Sequence, residues 1–103
     1  MADMTPFFRK RLDTLQQARA NLESELEVLS KAVVVGQPAL QRLAATSSDF
    51  FRQADSLLDT MLDRDAEADM VAPAEELVEY FEDTARRLQR LVPKGEGEAK
   101  ERG

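Results

Sequence analysis

The sequence predicts an all-α protein, an antiparallel helical hairpin joined by a third helix into a three-helix, coiled-coil-like bundle that associates with itself. Apolar residues recur at alternating three- and four-residue steps through three separate segments, the mark of one buried stripe along each helix. Helix breakers part those segments: Gly36 with Pro38, then Pro73, then Pro93. The one strand-like run, Val33 to Val35, has no second run to pair with and reads as the last turn of a helix.

Helix one is expected over residues 6–35. The Thr5 hydroxyl can accept a hydrogen bond from a first-turn amide, and Pro6 suits a first turn because its missing N–H costs nothing there. Phe8, Leu12, Leu15, Leu22, Leu26, Leu29 and Val33 then keep a heptad register, interrupted at Arg19. Ala18 keeps the seam apolar beside that interruption. Gly36 suits the left-handed backbone that closes a helix, and Pro38 starts the next.

Helix two is expected over 38–62, with Leu40, Leu43, Ser47, Phe50, Ala54, Leu57 and Met61 on its seam. Phe51, Leu58 and Leu62 widen the stripe, as they should on a helix that touches two neighbours. The short link through Gly36 and Gln37 predicts that helices one and two pair antiparallel.

Helix three is expected over 73–92, with Leu77, Val78, Tyr80, Phe81, Ala85, Leu88, Leu91 and Val92 forming a broad apolar face. Glu75 and Glu76 suit the positive end of its dipole, and Arg86, Arg87 and Arg90 suit the negative end. Residues 94–103 hold no apolar side chain larger than Ala99, and 93–103 read as a disordered tail, which leaves 1–92 as a single helical domain. At 1.5 Å per residue the three helices should measure roughly 45, 37 and 30 Å. The first would then overhang its neighbours. With Val33 to Val35, Phe50, Phe51 and Phe81, that overhang leaves apolar surface that a homodimer would bury.

Composition excludes several kinds of chemistry. Among 103 residues there is no cysteine and no histidine, which removes thiolate nucleophiles, zinc–thiolate sites and the commonest general base. A serine nucleophile in "ATSSDFF" (45–51) would lack its base, so Ser47 reads as a small residue between two close helices. No apolar run reaches the ~20 residues that span a bilayer, and no signal-peptide stretch opens the chain, so the expected compartment is the cytoplasm.

The net charge of −6 is unevenly spread: −1 over residues 1–62, −5 over 63–76 and zero over 77–103. No segment is basic enough to hold a nucleic-acid backbone, and "GQPALQRLAATSS", although it resembles a turn before a recognition helix, lacks cations for phosphate. In "DRDAEADM" (63–70), Asp63, Asp65, Glu67 and Asp69 alternate as in a calcium loop. Ala68 and Ala74, however, stand where such a loop needs a sharp-turning glycine and a bidentate glutamate. The stretch therefore reads as a solvated connection with neither metal nor catalytic role. The basic and aromatic "FFRKRL" (7–12) suits an acidic partner or an anionic membrane surface, or else simply a buried Phe8 with a solvated basic edge.

The functional expectation is a non-enzymatic, cofactor-free interaction module: an adaptor, assembly factor or structural subunit that pairs with itself or with another protein. Val34, Phe50, Phe51, Leu58 and Phe81 are its expected contact residues. Arg19 would set register by pairing with Asp49 or Asp55, or else reach water at the seam's edge. An alternative is an acidic inhibitor whose Asp63, Asp65, Glu67 and Asp69 occupy a basic nucleic-acid-binding surface of a target protein.

Overall fold

The computed structural model describes residues 4–32 and 36–92. Three helices account for nearly all of them: α1 (Thr5–Ser30), α2 (Gln37–Asp63) and α3 (Ala68–Leu91). The chain is an all-α three-helix bundle, with no strand among the described residues. Cross-helix contacts fix the directions. Arg42 of α2 reaches Glu25 of α1 at 3.9 Å, while Phe7 and Arg11 lie beside Leu57 and Thr60, so α1 and α2 are antiparallel. Gln89 donates to Ser48 at 3.2 Å and Phe81 stacks on Phe50 at 5.4 Å, so α2 and α3 are antiparallel as well. The path is up, down, up.

Helices α1 and α2 pair antiparallel as expected, but the most intimate pair is α2 with α3. Small side chains explain the preference. Ala44, Ser47 and Ala54 on α2, with Ala74, Thr84 and Ala85 on α3, are all buried and let the two backbones approach. Helix α1 brings large side chains instead. Phe8, Leu12, Leu15 and Leu22 fill the furrow between the other two helices and hold its axis further off. Buried Phe81, Leu77, Met61 and Leu57 meet them from below.

The helix ends differ from the expected ones, each for a local reason. Met4, not Thr5, occupies the cap position of α1, and its carbonyl accepts the Phe8 amide at 2.9 Å. The last regular residue of α1 is Ser30, after which Lys31 and Ala32 donate three residues back, to Val28 and Leu29. Val33 to Val35, expected as the final turn, lie outside the described residues, as does the tail from Pro93 onward. Gly36 is extended (φ −73°, ψ 144°) and opens α2 instead of closing α1 through a left-handed backbone. Its carbonyl accepts the Leu40 amide.

Helix α3 starts at Ala68, five residues before Pro73, and so carries that proline inside it. Burial of Met70, 3% exposed, and Ala74, 1% exposed, draws the extra turn into the core. The acid in the first turn is accordingly Asp69, and Glu75 and Glu76 sit further along the helix. The three helices now have 26, 27 and 24 residues, nearly equal lengths that remove the expected overhang of the first.

Candidate functional site

"DRDAEADM" is a built corner and not a loose connection. Asp63 ends α2, Arg64 caps it, and Asp65 turns left-handed with φ 54°. The Ala66 amide reaches back to the Met61 carbonyl at 2.8 Å and the Asp65 amide to Leu62 at 3.3 Å. This paired 6→1 and 5→2 closure ends a helix whose next residue adopts the left-handed form. Asparagine and aspartate tolerate that backbone better than other side chains with a Cβ, which accounts for Asp65 at this position. Ala66 tucks against the core, and extended Glu67 then opens α3, its carbonyl accepting the amides of Met70 and Val71. The corner holds Asp63, Asp65, Glu67 and Asp69 outward, all exposed. No group of three or more metal-binding side chains gathers among the described residues.

The expected contact residues are distributed unevenly. Phe81 is fully buried, with Phe50 tilted over one side at 5.4 Å and Tyr80 edge-on at 5.3 Å. Its surface is used within the bundle, so a partner of the folded chain cannot touch it. Phe50, Phe51 and Leu58 are half-buried and pack on the core with one side showing. Val34 lies outside the described residues. Arg19 pairs with neither Asp49 nor Asp55. Its guanidinium lies over the Tyr80 ring, 4.5 Å from the centroid, and reaches Glu23 one turn on at 3.6 Å. Asp49 instead receives Arg52 and Gln53 from its own helix. Arg19 therefore ties α1 to α3. Burial pushes the Tyr80 phenol above its ordinary value of 10.0. Thr84 lies near enough to oppose that shift, yet no hydrogen bond closes on the buried hydroxyl.

Ser47 is wholly buried and donates to the Leu43 carbonyl of its own helix at 2.8 Å, as a small seam residue should. Exposed large apolar side chains gather at the two ends of the bundle: Phe7 and Leu62 where the corner lies, Val28 and Leu91 at the other. Sequence reasoning placed Leu62 and Leu91 in covered stripes and missed Val28. Beside Leu91, the residues Leu26, Leu29, Leu40 and Leu88 line an apolar groove of about 200 Å³ with Ser30 at its edge. At the corner end, Phe7, Arg11, Arg52, Ser56 and Thr60 line a second groove between α1 and α2.

Apart from Arg52 with Asp49 beside the second groove, the ion pairs lie away from that corner end. They join Arg19 to Glu23, Lys31 to Glu27, Arg42 to Glu25, Arg52 to Asp49, Arg86 to Glu82 and Arg87 to Asp83. Among the described residues, Arg9, Lys10, Arg11 and Arg64 belong to none of these pairs, and neither do Asp63, Asp65, Glu67 and Asp69. No described helix is long and apolar enough to cross a membrane. No protein-family model matches the chain, and no curated protein or solved structure matches it.

Proposed function

We propose that this chain is a non-enzymatic protein–protein interaction module, an adaptor, assembly factor or structural subunit, that works by burying apolar helix faces. The observation behind this reading is the leucine groove at the end away from the corner. Leu26, Leu29, Leu40, Leu88 and Leu91 come from all three helices and leave a concave apolar site open to solvent. Leu91, 62% exposed, lines it at a high solvation cost unless something covers it. A groove of this kind accepts one large apolar side chain of an amphipathic helix, with neighbouring turns resting on the rim.

The test uses Leu91→Gln. That position is exposed, so the fold should survive, as circular dichroism will report. Native extract passed over immobilised wild-type chain should yield a stoichiometric protein species that the variant fails to retain. Equal retention by both proteins sinks the groove as the contact site.

A second reading has its own support. The four corner carboxylates are exposed, unpaired and held on a rigid turn, as a decoy for a basic nucleic-acid-binding surface requires. Affinity for such a target should fall steeply with salt, whereas capture through the leucine groove should not.

A further inference from the structure

We propose that two copies of this chain associate head to head through the corner end, the basic start of α1 in each copy meeting the acidic corner of the other. The proposal rests on the interaction-module reading and assigns one end of the bundle to self-association.

Two observations carry it together. The first is exposed apolar surface: Phe7 is 49% and Leu62 56% exposed, although Phe8 and Met61 beside them are buried. The second is the unpaired charge around them. Elsewhere on the bundle most cations have found a carboxylate within 4 Å on their own helix or the next. At this end Arg9, Lys10, Arg11 and Arg64 have not, although Asp63, Asp65, Glu67 and Asp69 share it with them. Arg9 and Asp69 line one pocket between α1 and α3 without closing an ion pair, and Arg64 sits inside the acidic run itself. Arg11 faces the α1–α2 groove with Phe7, while the carboxylates project from the corner and the first turn of α3.

A two-fold axis through this end gives the unpaired charges of each copy partners on the other. Such an interface is self-complementary, so the basic set of one copy lies on the acidic set of the other, and this contact forms twice. Phe7 and Leu62 would then meet apolar surface at its centre. For a chain of net charge −6, most encounters between copies are repulsive, and this is a surface on which they attract. The electrostatics therefore select the orientation as well as the partner, and the leucine groove at the far end stays open for another protein.

The experiment is a charge swap read by sedimentation equilibrium. Wild-type chain should be dimeric, with a dissociation constant that rises at least ~10-fold from ~0.05 to ~0.5 M salt as the screening length falls from ~14 to ~4 Å. Lys10→Glu with Arg11→Glu, and separately Asp63→Lys with Glu67→Lys, should each weaken the dimer by about 100-fold. Mixed in equal amounts, the two variants should recover a dimer, because each again meets an opposite charge. A wild-type monomer at ~0.1 mM overturns the proposal, since a specific dimer should form well below that. So does a dimer indifferent to both charge reversals, or variants that stay weak when mixed. None of these results touches retention of a partner at Leu91, so the two readings fail separately.

Discussion

Single residues carry two consequences that can be measured. Asp65 holds the left-handed backbone that closes α2, at φ 54°. Aspartate pays little for that conformation and a β-branched residue pays about 1–2 kcal/mol. Asp65→Val should lower the unfolding free energy by that amount in urea titrations, while Asp65→Gly should stay within ~0.5 kcal/mol of wild type. Tyr80 bears the other consequence. Its phenol holds its proton more tightly folded than unfolded, because burial disfavours the phenolate. Stability is thus complete below pH 10 and declines as pH rises above the ordinary phenol value of 10.0. Tyr80→Phe deletes a buried hydroxyl that lacks a hydrogen-bond partner and keeps the ring beneath Arg19. The variant should be at least as stable as wild type at neutral pH and should lose the alkaline decline, as denaturant midpoints at pH 7 and above pH 10 will show.

At the scale of one element, α3 is the helix with a flaw in it. Pro73, six residues into the helix, removes the amide that would reach the Asp69 carbonyl, and its ring crowds the turn before it. The helix nevertheless forms from Ala68, because burial of Met70 and Ala74 outweighs the loss. Pro73→Ala restores the missing bond and should stabilise the bundle by about 1–2 kcal/mol, measured by chemical unfolding. No gain would mean that the local backbone has already relaxed around the ring. The close seam between α2 and α3 obeys a different rule. Ala54 is 1% exposed where the backbones approach, so it has no room to grow, whereas Ser47 is satisfied by its own helix.

For the molecule as a whole, the unequal partnership of the helices sets the order in which it opens. Helices α2 and α3 share a long, close seam, while α1 rests on both through four large buried side chains, the Arg19–Tyr80 contact and an exposed ion pair from Glu25 to Arg42. An exposed pair of that kind adds less than about 1 kcal/mol. Local opening draws on the least engaged unit, so α1 amides should exchange with solvent deuterium sooner than those in the middle of α2 and α3. Equal protection in all three helices would show that the bundle opens only as a unit. This hierarchy also puts the head-to-head contact on the helix that most needs support, since Phe7, Lys10 and Arg11 all belong to α1.

Periodicity alone determined the class of fold, the number of helices and most of the covered face. Phe8, Leu12, Leu15 and Leu22 are buried on the predicted seam of α1, as are Leu43, Ser47, Ala54, Leu57 and Met61 on that of α2. A repeat near 3.6 residues reports which side of a helix is covered, because burial repeats with the helix itself. Boundaries were less legible. The alternation of acids in "DRDAEADM" masked the left-handed turn at Asp65, and Pro73 looked like a start because proline is at home there. Which helix lies closest to which, whose guanidinium covers Tyr80 and which charges stay unpaired were settled by tertiary structure. Those outcomes depend on the separation and rotation of packed helices, and a one-dimensional pattern carries neither.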